Sequence, residues 1–522
     1  MFDYLIKNAN IADGTGDPVF FGGIAVKGDE IAEVFKGEVP ENLKVAGEVL
    51  DAAGQYVTPG FVDVHRHGDL TAVISGRDCG EEIRQGITTF INGNCGFSAV
   101  PSSVKFFPEL QGYAKPIIGN IPDFLSGKSF LDFFDSISGG NYYSNMGYLA
   151  GNGALRIAVK GFDAELLQDL ERNLICRLLR DSLGAGVFGL SMGLMYVPEN
   201  FYTEAELIEL AEIAAAAKKI VTVHMRGEGG GLIPSIREVI NIAKMSGAKF
   251  HISHLKAAGR KNWNRAVSKA LGIIENARND GADISFDVYP YTAGSTALYT
   301  LLPPDFQQGG IAGVLEQLRD SSKRRSVAEE LRTDPPDWDN LVFGEGGWDS
   351  VVIAGRGSVA EIAAERGVSP EDCMFDLLLE NDGNVPIVIH SMCAEDVESI
   401  IKTPGAIIVS DALYSESGTP HPRKFGAAAK FIAEYGGSIG FPQAVSMLTG
   451  LPAERFGIDR RGVLAAGNFA DMLIIDKDNF RDTATYEAPE SYPTGISAVF
   501  VNGKPAFRNG ELQNRAGKIL RK

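Results

Sequence analysis

Eight short apolar runs separated by helical patterns set the strongest constraint on how this 522-residue chain folds. They occupy positions 61–65, 87–92, 147–151, 187–191, 220–224, 250–254, 284–289 and 406–411. The stretch 203–219 illustrates the intervening helices, because Thr203-Glu204-Ala205-Glu206 reads as a capping-box start. Strands alternating with helices build parallel βα units, and eight of them predict an α/β fold, a (β/α)8 TIM-like barrel.

The two ends of the chain read differently. Residues 2–34 and 470–504 carry short β-type runs broken by turn signals such as Asp13-Gly14, Gly28-Asp29 and Asn502-Gly503. The expected organisation is residues 1–57 and 458–522 pairing into one small β domain, with 58–457 forming the barrel. The gap between the seventh and eighth runs is too long for a connection, so an insertion over about 297–385 is expected. It holds Lys323-Arg324-Arg325, read as a solvated helix face, Pro335-Pro336 and Gly346-Gly347-Trp348. Whether it covers a site or decorates a distal face is left open by the sequence.

Composition removes several function classes. A formal charge of −18, from 49 Lys and Arg against 67 Asp and Glu, argues against nucleic-acid binding. No apolar run approaches the ~20 residues needed to span a bilayer, so no membrane role is expected. Five scattered Cys do not form a disulfide framework; Cys79, Cys176, Cys373 and Cys393 are expected as buried small hydrophobes. With no basic start and apolar core of a signal peptide, a cytoplasmic location is the expectation. Self-association is left open.

The chemistry lies at the ends of the apolar runs. There are seven His in the chain. His65 and His67 are two apart, which turns both to one side if the strand continues through them. His224 and His254 end the fifth and sixth runs, Asp411 ends the eighth, and Cys95 follows the second. In a barrel the strand C-termini converge on one mouth. Any one of these residues alone is more often structural, but six at corresponding ends predict a metal site. Imidazole, thiolate and carboxylate donors together suit Zn²⁺. Asp411, read as the only acid at a strand end beside this site, is the expected general base and acid. His251 is expected to be structural, and His390 and His421 are not expected as ligands.

The segment Thr58-Pro59-Gly60-Phe61-Val62-Asp63-Val64-His65-Arg66-His67 resembles the first-strand motif of the amidohydrolase superfamily. Residues 462–476 are similar to its closing β segment. Asn94-Cys95-Gly96, His224-Met225-Arg226-Gly227-Glu228, Ser253-His254-Leu255-Lys256, 289–296 and Ser410-Asp411 narrow the resemblance to the D-aminoacylase family. That resemblance implies a β-sandwich built from both termini beside the barrel. It implies one tightly bound zinc on Cys95, His224 and His254, and a second, weaker position at His65, His67 and Asp411. It also implies hydrolysis of small-molecule N-acyl-D-amino acids, with Lys256, Tyr289, Ser295 and Arg423 around the substrate carboxylate. Many superfamily members bridge two metals with a fourth-strand Lys, which the run 187–191 lacks; Cys95 would take that place. The competing readings are a cyclic-amide hydrolase of the hydantoinase kind, a hydrolase of dipeptides containing a D-residue, and a non-enzymatic scaffold.

Overall fold

Parallel strands covered on both faces need nearly continuous apolar sequence, and the eight runs supply it. A computed structural model of the protein describes every residue except 44, 75, 336, 337, 345 and 354. Its barrel strands are β1 (Phe61–Asp63), β2 (Ile87–Asn92), β3 (Asn145–Tyr148, resuming at Ala150–Gly151), β4 (Gly189–Gly193), β5 (Ile220–His224), β6 (Lys249–Ile252), β7 (Ile284–Val288) and β8 (Ala406–Ile408). All neighbours are parallel. β1 pairs with β2 and β2 with the first half of β3, and the second half of β3 leads into β4 through β8. The ring closes beyond the regular strands, where Asp411 N–H donates to His65 O (2.9 Å) and His67 N–H to Ala412 O (3.0 Å).

Several strands stop short of the expected residues: β1 ends at Asp63, β6 at Ile252 and β8 at Ile408. The cause is local. Cys95, His254 and Asp411 adopt φ of 52°, 36° and 49°, a left-handed region that L-residues occupy at a cost of about 1–3 kcal/mol. The backbone therefore turns out of the ladder as it reaches the mouth, and β4 lies two residues later than expected.

Helices cover the outside. The helix Glu204–Ala216 starts as anticipated: Thr203 Oγ1 accepts from Glu206 N–H, and the Glu206 carboxylate accepts from Thr203 N–H. Both termini do join one nine-stranded sheet, a small sandwich beside the barrel. Its seam is the antiparallel pairing of Met472–Ile475 with Tyr56–Pro59, which in turn runs parallel to Phe2–Ile11. Ile6, Ile11, Ile24, Val57, Met472 and Phe500 form its core.

Between β7 and β8 the chain builds a four-stranded sheet with helices and a separate core that includes Leu298, Leu318, Phe375 and Leu378. Leu341 and Ile389 from this region line the cavity at the barrel mouth, so it covers the site. Two expectations are corrected here. Lys323 and Arg325 are exposed on the helix Ser321–Glu330, but Arg324 between them is no freely solvated charge, since it donates to Asp372 (2.9 Å) and Asp376 (2.8 Å) and lies over the Phe375 ring. Cys79 is exposed, because its loop lies outside the barrel core. Pro336 of the Pro335-Pro336 pair lies outside the described residues.

Candidate metal centre

Because the strand C-termini converge, His65, His67, Cys95, His224, His254 and Asp411 meet in one buried cluster. The donor atoms of Cys95, His224 and His254 lie within 4.8 Å of one another, as do those of His65, His67 and Cys95, and of His65, His254 and Asp411. Cys95 Sγ is central, 3.3 Å from His65 Nε2 and 3.5 Å from His254 Nε2. Asp411 Oδ1 lies 3.4 Å from His65 Nε2 and 3.2 Å from His67 Nε2.

The electrostatics favour the ligating forms. Burial pushes the Cys95 thiol up, but the His65 and His254 imidazoles outweigh it and hold it well below its ordinary value. Burial likewise raises the Asp411 carboxyl, and Arg423 and His65 together bring it well below the carboxylate range. Two carboxylates behind the cluster fix the ring orientations. Asp287 Oδ2 lies 3.1 Å from His65 Nδ1, and Glu228 Oε1 lies 3.0 Å from His254 Nδ1. Each can accept the Nδ1 proton and leave Nε2 as a lone pair toward Cys95, the arrangement found behind metal-ligating histidines. His224 adds a buried ring with neither nitrogen hydrogen-bonded, Nε2 lying 3.7 Å from Glu228 Oε2, and His67 a buried Nδ1 without a hydrogen bond. Lone pairs facing one another with no protein donor between them fit a divalent metal of the zinc type.

Asp411 is thus not the only acid at the site. Glu228 and Asp287 were missed as functional positions, although both left signals. Glu228 stands in the motif 224–228, and Asp287 interrupts the apolar run of β7 together with Ser285. His251, the expected structural histidine, donates through Nε2 to Asp287 (2.9 Å) and meets Ser285 Oγ through Nδ1 (2.6 Å). Arg66, hidden between the two first-strand histidines, is fully buried. It binds Asp63 (3.2 Å), Glu82 (3.2 Å), Ser410 (3.0 Å) and Tyr414 (2.7 Å), tying β1 to the end of β8.

The four residues expected around a substrate carboxylate all line the same cavity, but they are not equivalent. Arg423 is 1% exposed and gives Nη2 to Asp411 Oδ2 (2.9 Å), while its Nε and Nη1 have no partner. The Tyr289 hydroxyl is also buried without a partner, its ring 4.5 Å from the Arg423 guanidinium. Ser295 lies at the cavity wall, its backbone carbonyl 3.5 Å from Arg423 Nη2. Lys256 already has partners within the protein: its ammonium donates to Glu228 Oε1 (2.7 Å), and His254 Nδ1 lies at the same distance from Nζ. His421 is no ligand. Nε2 donates to Ala293 O (3.1 Å) and Nδ1 accepts from Arg423 N–H (2.9 Å), seating the helix that begins at Arg423.

No family model matches the chain. It is 30% identical over 525 residues to the N-acyl-D-glutamate deacylase of Alcaligenes xylosoxydans xylosoxydans, covering all of this chain and 96% of that one. It is also 30% identical over 523 residues to the D-aminoacylase of that organism, covering 99% of this chain and 97% of the relative. Among solved structures, the N-acyl-D-glutamate deacylase of Bordetella bronchiseptica, complexed with zinc and a phosphonate mimic of the tetrahedral intermediate, matches with a TM-score of 0.83. The identity is 28%, and both chains are covered completely. Barrel, sandwich and buried His/Cys/Asp cluster define a metal-dependent amidohydrolase. Within that class, the chain belongs to the D-aminoacylase family.

Proposed function

We propose that the protein hydrolyses the amide bond of N-acyl-D-amino acids, releasing a carboxylate and a D-amino acid. The observation that carries this reading is the position of Asp411. Its Oδ1 faces His65 and His67, and its Oδ2 faces Arg423, so it stands where a metal-type donor cluster meets a buried cationic anchor. The D-configuration is supported by the names of the relatives.

Cys95, His224 and His254 would hold the tightly bound zinc, with a second, weaker position at His65, His67 and Asp411. Zinc bound there supplies a cation that acidifies water to a pKa of about 7 and polarises the amide carbonyl. Arg423 Nε and Nη1 and the Tyr289 hydroxyl hold the α-carboxylate, because these buried donors otherwise go unsatisfied. Ser295 closes that side of the cavity. Asp411, ionised at neutral pH, accepts the proton of the attacking water and returns it to the leaving nitrogen. Glu228 and Asp287 keep the His254 and His65 rings oriented throughout. Lys256 is paired with Glu228 and neutralises it.

The test is a hydrolysis screen of N-acetyl-D- and N-acetyl-L-amino acids together with hydantoins, in the presence of added zinc. Cleavage confined to the D-isomers is expected. Cleavage of only L-isomers or only cyclic amides overturns the reading.

A further inference from the structure

The turn that leaves β5 contains the run Gly227-Glu228-Gly229-Gly230-Gly231, which leads into the N-terminus of the helix Leu232–Ser246. Backbone N–H groups that converge in such a turn form a concavity for an anion, and the helix dipole behind them adds to its positive potential. Here the anion belongs to the protein. The carboxylate of Asp339, from the insertion between β7 and β8, fills the concavity. Its Oδ2 accepts from Glu228 N–H (2.8 Å) and Gly229 N–H (2.6 Å), and its Oδ1 from Gly231 N–H (2.8 Å). The glycines permit this approach: a Cβ on Gly227 would stand 2.8 Å from Asp339 Oδ2, and one on Gly229 3.1 Å from its Cγ.

The next residue faces the other way. Asn340 is buried, gives Nδ2 to Leu331 O and Thr333 O, both at 2.8 Å, and accepts from Val342 N–H (3.2 Å). Asn340 thus holds the insertion's own fold, while Asp339 reaches across to the barrel. The residue it grips there, Glu228, stands behind the metal cluster. Glu228 Oε1 lies 3.0 Å from His254 Nδ1, and Oε2 lies 3.7 Å from His224 Nε2. The backbone of Glu228 is pinned on both sides, its N–H by Asp339 and its carbonyl by Ala258 N–H (2.7 Å). Without Asp339, three crowded N–H dipoles lose their acceptor and the turn relaxes. The carboxylate carried on that turn moves with it, and hydrogen bonds weaken steeply with lost alignment.

We propose that Asp339 is a positioning residue for the metal centre: by filling the glycine turn it fixes Glu228, and through Glu228 the His254 ring. The insertion thereby supplies an anion on which the tight metal position depends. The inference rests on the metal position assigned above to Cys95, His224 and His254, and is independent of the substrate.

The test measures the zinc affinity of metal-free protein against a zinc-buffering chelator, at fixed pH and ionic strength. Asp339→Ala is expected to bind zinc about tenfold more weakly, the lower end of what losing a group behind a metal ligand costs. This variant keeps Cβ and lacks only the carboxylate, so added formate is expected to refill the turn and restore the affinity. Formamide, of the same shape but neutral, is expected to restore none, and wild type in the same solutions is expected to be unmoved. In Asp339→Asn the amide occupies the turn, so affinity is expected to fall without formate rescue. An alanine variant that melts earlier yet binds zinc as the wild type does overturns the inference, because Asp339 would then only fasten the insertion. Weakened binding that formate and formamide leave equally unrestored also overturns it. Wild type that retains no zinc overturns the metal reading as well. Should the alanine variant fail to fold, Asp339→Asn decides alone, and zinc affinity equal to the wild type's overturns the inference.

Discussion

Arg423 and Asp411 are joined by a buried ion pair, guanidinium Nη2 to carboxylate Oδ2 at 2.9 Å, which fixes one face of the carboxylate and leaves Oδ1 toward the histidines. The pair holds Asp411 ionised against the cost of burial. Asp411→Asn removes the proton acceptor but keeps the shape. It is expected to lower kcat by about 10²–10⁴, while the zinc of the tight Cys95, His224 and His254 position, measured by atomic absorption after dialysis, is retained. Near-normal turnover would remove Asp411 from the reaction.

Asp287 orients two elements of the cluster at once. It faces His65 Nδ1 at 3.1 Å, and its other oxygen accepts the His254 backbone N–H at 2.5 Å. Asp287→Asn is expected to weaken zinc binding by about 10–100-fold, as read by competition with a chromogenic chelator. An unchanged affinity would make the contact irrelevant to the metal.

Arg66 compensates two buried acids, Asp63 and Glu82. Arg66→Ala leaves both without a cation and is expected to cost about 3–5 kcal/mol in urea unfolding, because a buried charge stripped of its partner pays full desolvation. A loss near that of an ordinary surface substitution would contradict this account of the β1–β8 seam.

Glu199 is fully buried, and burial pushes its carboxyl from 4.5 up to about 8, against hydrogen bonds from Gly193 N–H and neighbouring side chains. Between those two values the folded state binds a proton that the unfolded state has released, so stability falls as pH rises through the window. The stabilisation is complete below about 4.5 and lost above about 8. Glu199→Gln stays neutral throughout, so its melting temperature is expected to gain on that of the wild type steadily across this range. Parallel curves would show that Glu199 does not titrate there.

The fold was largely legible because its period is local. Parallel strands covered on both sides must be apolar, and the runs at 220–224 and 87–92 match β5 and β2 residue for residue. The misplaced strand ends have two origins: after β6 and β8, His254 and Asp411 take left-handed backbone conformations that no propensity announces, and beyond β1, barrel closure past His65 depends on hydrogen bonds to a segment more than 300 residues away.

The sequence by itself determined the barrel, the union of the termini and the six residues that cluster at its mouth, since strand ends in a parallel barrel have one place to go. Only the tertiary structure decided how those residues are held and how the cavity charge is balanced. Glu228 pairs with Lys256, Asp287 stands behind His65, and Arg66 joins the seam between the two histidines. Each is a pairing of charges brought together by folding, and its consequence depends on distance and burial, which linear order does not encode.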